Sequence, residues 1–227
     1  MIRAVRTIGD GTAVGRHHPT GSDRQTPAMP EPRLLLIRHG ETEWSRTRRH
    51  TGRTDVPLDE TGRAAASALG PRLRAAGFPP DGVAAVWVSP LSRARDTAAL
   101  AGLTATRVDD DLLEWDYGAA EGRTTDDLRV DRPGWDVWDD GVVDLGGGGE
   151  TVDEVGVRCD RVIADARQID GTVAIVAHAH LLRILTARWL GFAAVEGRHF
   201  VLDPAGWAVL GWERTTPAVE RWNVPPT

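Results

Sequence analysis

The sequence predicts an α/β fold in three layers, α/β/α, with a mostly parallel central sheet between helices on both sides. Three observations carry that prediction. Short apolar runs alternate with longer segments of helical period along most of the chain. Two of the runs, Leu34–Ile37 and Val173–Ala177, are continuously apolar, as strands covered on both faces must be. Glycine and proline stand where the helical segments start or stop.

The elements follow in order. Arg33 to Arg38 reads as the first strand, and Asp59 to Ala76, rich in Ala and Leu at helical spacing, as a helix ended by Gly77. Val83 to Val88 repeats the strand pattern, and Ser89-Pro90 leads into a helix over Leu91 to Ala101. Thr104 to Val108 is a weak strand. The stretch from Leu112 to Gly149 carries Trp115, Tyr117, Trp135 and Trp138 among glycines and carboxylates without a regular period. That is long for a loop inside a compact domain, so short helices beside a pocket are expected there. Within it, Gly146 to Gly149 reads as a flexible loop, because no Gly-Lys-Ser/Thr follows to make it a phosphate cradle. Val152 to Ile169 reads as a long helix, Thr172 to Ala177 as a buried strand, and Leu181 to Leu190 as its following helix, ended by Gly191. Trp207 to Trp212 and Val219 to Trp222 are late strands.

Residues 1–32 show neither a helical period nor an apolar stretch long enough for a secretory signal. They are expected to be a disordered extension, which leaves 33–227 as a single domain. Met29, just before Pro30-Glu31-Pro32, offers a second start position, and His17 and His18 read as solvated.

Composition narrows the function classes. With 227 residues, the chain is long enough to bury a core without staples. A single cysteine, Cys159, excludes an intramolecular disulfide framework and a cysteine zinc ribbon, so a cytoplasmic location is the default expectation. No apolar run approaches the ~20 residues that span a bilayer. The net charge of -6 argues against a nucleic-acid surface built on bulk positive charge. All 27 basic residues are arginine, which excludes Schiff-base chemistry and a Walker lysine. Guanidinium groups suit phosphate, since their planar donors match two oxygens at once.

Ligands of open α/β sheets bind beyond the carboxyl ends of the strands. The first strand ends in Arg38-His39-Gly40-Glu41-Thr42, the second is followed by Ser89, Pro90, Arg93 and Arg95, and the strand at 172–177 is followed by His178 and His180. Histidines and arginines thus converge on one sheet edge, the equipment for gripping a phosphoryl group and attacking it with an imidazole.

In these residues the chain resembles the histidine phosphatase superfamily, branch 1, also called phosphoglycerate mutase-like. The likeness runs in order from Arg33 to Leu190. It comprises Arg-His-Gly-Glu-Thr at 38–42; Gly52, Asp55, Pro57 and Leu58; Ser89, Arg93, Ala94, Thr97 and Ala98; Leu112, Glu114, Gly118, Glu121 and Gly122; and Gly149-Glu150-Thr151 ahead of a helix. Within the family, Glu43-Trp44-Ser45 through Thr51-Gly52 and Glu114 to Gly118 look most like the phosphatases of sugar bisphosphates such as sedoheptulose 1,7-bisphosphate.

The resemblance implies a metal-independent phosphatase that hydrolyses a small phosphorylated sugar or polyol, needs no cofactor, and works in two steps through a phosphohistidine. His39 would be the nucleophile. Arg38 and Arg93 would clamp the phosphoryl oxygens, with protonated His178 adding a donor. Glu114 would be the general acid, shielded from water by Trp115. Ser45, Thr51 and Gly52 are the matching substrate-binding positions. Two departures are Ala179, where the family commonly has glycine after its second histidine, and Ser45, where many relatives carry asparagine. Arg46, Arg48, Arg49, His50 and Arg53 form a basic cluster that could meet a second phosphate or carboxylate, or stand as a solvated loop. Trp44, Trp115, Trp135 and Trp138 could wall the pocket or pack the core. The expected partner is a small phosphorylated molecule, without nucleic acid or membrane, and a homodimer is left open. A cofactor-dependent phosphoglycerate mutase, or a non-catalytic binding module of the same fold, are the alternatives.

Overall fold

Six strands form one sheet in the order β3-β2-β4-β1-β5-β6: β1 (Arg33–Arg38), β2 (Ala85–Val88), β3 (Arg107–Val108), β4 (Thr172–Ala177), β5 (Trp207–Glu213) and β6 (Thr216–Val224). The computed structural model describes residues 32–226, so the extension expected over 1–32 lies outside the described residues, Pro32 excepted. Strands β1 to β4 run parallel, whereas β5 lies antiparallel to β1, and β6 to β5. The sheet is therefore mostly parallel, as the buried apolar runs predict.

Alternate side chains of each strand leave opposite faces of the sheet. Leu34, Leu36 and Ile175 pack under α5 (Val152–Ala166) and α6 (Ala179–Trp189), while Leu35, Ile37 and Val176 pack under α2 (Glu60–Ala75) and α3 (Ser92–Leu100). Helix α5 shows why: Val155, Cys159, Val162, Ile163 and Ala166 recur at steps that keep one face apolar and buried. Its start is fixed by a capping box between Thr151 and Glu154.

Local differences from the expectation have local causes. Helix α1 (Glu43–Arg46) is one turn that the sequence reading missed; it is made by Thr42 and Ser45, whose side chains satisfy each other's backbone amides. The 112–149 stretch holds α4 (Thr125–Asp131) and short 3₁₀ turns. Helix α6 begins at Ala179, because His178 is already its N-cap. Gly146 to Gly149 all have φ between +73° and +111°, a conformation side chains resist, and Gly146 O and Glu150 N bond to the 116–119 backbone.

Helices α2 and α6, which follow the neighbouring strands β1 and β4, lie on opposite faces of the sheet. A crevice therefore opens at the carboxyl ends of these two strands. Among the described residues no helix is long and apolar enough to cross a membrane.

Candidate active site

Strands β1 and β4 pair in register from Arg33 and Thr172 to Arg38 and Ala177, so the next residue on each is a histidine. The rings of His39 and His178 lie 5.2 Å apart, both buried. His39 Nδ1 is 2.6 Å from Gly40 O, and a carbonyl only accepts, so Nδ1 carries the proton and Nε2 keeps its lone pair. Burial, then Arg93 and Arg38, hold the His39 pKa well below the usual histidine value. The imidazole is thus a neutral base with a defined free nitrogen. Gly40 N donates to Thr97 Oγ1, and a Cβ on Gly40 would stand 2.5 Å from Gly62 O, so the turn after β1 presses directly on α2.

Around His39 is a cavity of about 510 Å³ whose wall includes Arg38, Glu114, Tyr117, His180 and Arg183. Arg38 donates through Nη1 to Leu202 O at 2.7 Å, while its buried Nε has no partner. Arg38 and His39 share the cavity wall, so a guanidinium and a neutral imidazole face one space, a pairing that suits an anionic oxygen. Glu114 is anchored at the start of α6: Oε1 accepts from Trp115 N and Leu181 N, both at 2.9 Å, and Oε2 from His180 N at 3.1 Å. The helix N-terminus thereby holds a carboxylate at the cavity wall. A larger, more open groove of about 940 Å³ lies against α2 and α3, but its charged side chains are only Arg74 and Asp81, paired at 3.2 Å. Of the strand-end and motif groups, Arg38, His39 and Glu114 line the smaller cavity.

A family model for the histidine phosphatase superfamily, branch 1, matches residues 34–225. The chain belongs to that superfamily. It is 41% identical over 183 residues to an acid phosphatase of Mycobacterium tuberculosis, covering 80% of this chain and 87% of that one. A sedoheptulose 1,7-bisphosphatase of Saccharomyces cerevisiae is 33% identical over 189 residues, 70% of this chain and 68% of the other. The solved structure of an open reading frame from Mycobacterium tuberculosis superposes with a TM-score of 0.77 at 36% identity, over 86% of this chain and 98% of that one.

Against this histidine phosphatase frame, the remaining predicted residues divide into those on the cavity and those behind it. Arg93, fully buried, gives Nε to His178 Nδ1 at 3.2 Å, Nη1 to Thr54 O at 2.8 Å, and Nη2 to Gly52 O and Thr51 O. One Nη1–H is left without a partner among the described residues. His178 was expected as a protonated donor and is instead neutral: Arg93 can only donate, so Nδ1 is an acceptor, and burial followed by Arg93 pushes the pKa well below the usual value. Its Nε2 meets Ser89 Oγ at 2.7 Å.

Thr51 lines the cavity. Ser45 does too, but its hydroxyl bonds both the amide and the carbonyl of Thr42 in the α1 cap. Gly52 lies off the cavity wall; its amide goes to Glu121, and a Cβ there would meet that carboxylate at 2.7 Å. The basic cluster also divides. Arg48, Arg49 and His50 face the cavity, whereas Arg46 pairs with Asp59 and Arg53 with Glu150 and Asp116. None of the four tryptophans is on the wall; Trp115 and Trp135 are core, their indole N–H groups bonded to Glu150 O and Gly141 O.

Tyr117 and Arg183 are wall residues that the sequence reading did not place in the site, and they join His180, which it did place at this sheet edge. The signal for Arg183 was present in α6, where it stands three residues after His180 on one face.

Proposed function

We propose that this histidine phosphatase hydrolyses a small phosphorylated sugar or polyol through a phosphohistidine on His39, without a metal ion. The observation that carries the reading is the His39 tautomer: Nδ1–H tied to Gly40 O leaves Nε2 as a neutral nucleophile on a cavity wall that Arg38 shares. In the first step Nε2 bonds to phosphorus as the ester oxygen leaves, taking a proton from Glu114. In the second, water attacks phosphorus, returns a proton to Glu114, and frees Nε2 and inorganic phosphate. The three amides around Glu114 match the carboxylate that exists between the two steps. Charge on the phosphoryl oxygens meets Arg38, with Arg48, Arg49 and Arg183 on the same wall.

The cavity volume suits a small molecule, and the sugar bisphosphatase among the relatives supports a sugar or polyol leaving group. The test is rapid quench during turnover of a sugar phosphate in EDTA. Wild type is expected to yield acid-labile, base-stable phosphate on the protein, at a rate unchanged by the chelator, and His39→Ala none. Residual turnover by His39→Ala beyond a trace, or loss of activity in EDTA that a divalent ion restores, overturns the mechanism.

A further inference from the structure

His180 opens α6 with Ala179, and its ring lines the cavity. Nδ1 makes a short hydrogen bond to the Tyr117 hydroxyl, and the ring is boxed by Trp138 at 5.0 Å, Tyr117 at 5.8 Å and Trp115 at 6.0 Å. Burial, then Arg183, hold the imidazole neutral, and burial pushes the Tyr117 pKa well above its usual value, so both groups keep one proton each. Two arrangements are open to them. With the proton on Nδ1, the Tyr117 O–H has no acceptor among the described residues and Nε2 has no donor. With it on Nε2, the tyrosine donates to Nδ1 and a single group, Nε2–H, lacks a partner. The second arrangement leaves fewer polar groups unpaired and is the favoured one.

No described residue accepts from Nε2, and the atom is not among those sealed from solvent. The cavity wall therefore carries one fixed, neutral N–H donor on the helix turn whose amide holds Glu114. A phosphoryl group in this cavity already has the guanidinium donors of Arg38, Arg48, Arg49 and Arg183. A neutral donor instead suits a neutral acceptor such as an alcohol oxygen.

We infer that His180 is a specificity-determining residue whose Nε2–H reads a hydroxyl of the substrate, so that polyol phosphates are selected over alkyl phosphates of equal charge. This rests on the phosphatase reading and adds the part of the substrate that is not phosphate. The test compares kcat/KM for ribitol 5-phosphate with n-pentyl phosphate, and glycerol 1-phosphate with n-propyl phosphate. Each pair has the same charge and a primary alkoxide leaving group. Both members are measured on one preparation, so the folded fraction cancels in the ratio.

Wild type is expected to favour the polyol in at least one pair, and His180→Phe to cut that preference about three- to tenfold, the worth of one neutral hydrogen bond. His180→Gln, which returns an N–H donor near Nε2, should restore most of it. Tyr117→Phe, which leaves the imidazole but frees its tautomer, should shift the ratio in the same direction by less. An unchanged ratio in His180→Phe and Tyr117→Phe, no rescue by glutamine, or no polyol preference in wild type overturns the inference. Failure of the wild type to hydrolyse p-nitrophenyl phosphate as well as every ester is the separate result that removes the phosphatase reading itself.

Discussion

Arg93 Nε donates to His178 Nδ1 at 3.2 Å, and this contact between helix α3 and the end of β4 dictates the protonation of the second active-site histidine. The guanidinium has no lone pair to offer, so His178 carries its proton on Nε2 and donates a hydrogen bond from it to Ser89 Oγ at 2.7 Å. The chain Arg93, His178, Ser89 joins helix α3 to the ends of β4 and β2, with the His39 ring 5.2 Å away.

Ser89→Ala leaves the buried Nε2–H of His178 unpaired, because Ser89 is itself fully buried. A loss of about 1–3 kcal/mol is expected. Urea unfolding at neutral pH checks it. A change below a few tenths of a kcal/mol would show that His178 does not donate to Ser89.

Acid should destabilise the fold in a window set by the buried histidines. The His50 pKa is pushed down from 6.5 to about 4, chiefly by burial, and His39, His178 and His180 shift the same way. A histidine whose pKa falls on folding contributes stability that is complete above its unfolded value and is lost as pH drops toward its folded one. For His50 alone this corresponds to roughly 3 kcal/mol between pH 6.5 and 4. Urea midpoints measured from pH 7.5 to 4.5 should fall steadily below 6.5; a flat profile contradicts the neutral assignments. The same sign predicts that the acid limb of kcat/KM lies below 6.5, since His39 stays unprotonated there.

Two glycine substitutions should separate close approach from backbone freedom. A Cβ on Gly62 would overlap the Glu41 backbone, two residues from His39, and nothing flexible can yield. Gly62→Ala is expected to lower kcat and to cost more than 2 kcal/mol, as overpacking does. Gly77 ends α2 at φ +90° with open space around its Cβ position, so Gly77→Ala should cost about 1 kcal/mol and leave turnover alone. Thermal melts with a p-nitrophenyl phosphate assay decide between them. Equal effects would mean that the β1–α2 contact does not position His39.

The sheet and its four long helices were legible because burial on two faces forces continuous apolar strands, and the helices show one apolar face each. His39, Arg38 and Glu114 were legible as motif residues at strand ends or in the aromatic segment. What sequence could not show is which hydrogen bonds each side chain spends on the fold. Arg93 gives most of its donors to the 51–54 carbonyls, Gly52 its amide to Glu121, and Ser45 its hydroxyl to Thr42. Asp55 likewise caps α3 by accepting from Ser92 N at 2.9 Å, which accounts for an aspartate in that motif. Apart from the local Ser45–Thr42 pair, these assignments depend on residues 30 or more positions apart in the chain, for which local pattern carries no information.

Glu114→Gln tests the proton donor. In the variant the amide oxygen can stay with Trp115 N and Leu181 N, but the NH₂ then faces His180 N, donor against donor. Stability should fall by about 1–3 kcal/mol for the amide left unpaired. That loss is the same whatever the substrate, so it cancels when two substrates are compared on one folded preparation. A sugar alkoxide is a poor leaving group without a proton, whereas p-nitrophenolate is already stable as an anion and needs little help. General acid catalysis is worth about 10²-fold or more, so Glu114→Gln should cut turnover of a sugar phosphate by roughly that factor beyond any cut for p-nitrophenyl phosphate. If Glu114 serves only to cap α6, both substrates lose equally, because both feel the same displaced helix terminus. An equal loss would remove Glu114 from the reaction and leave water as the proton source.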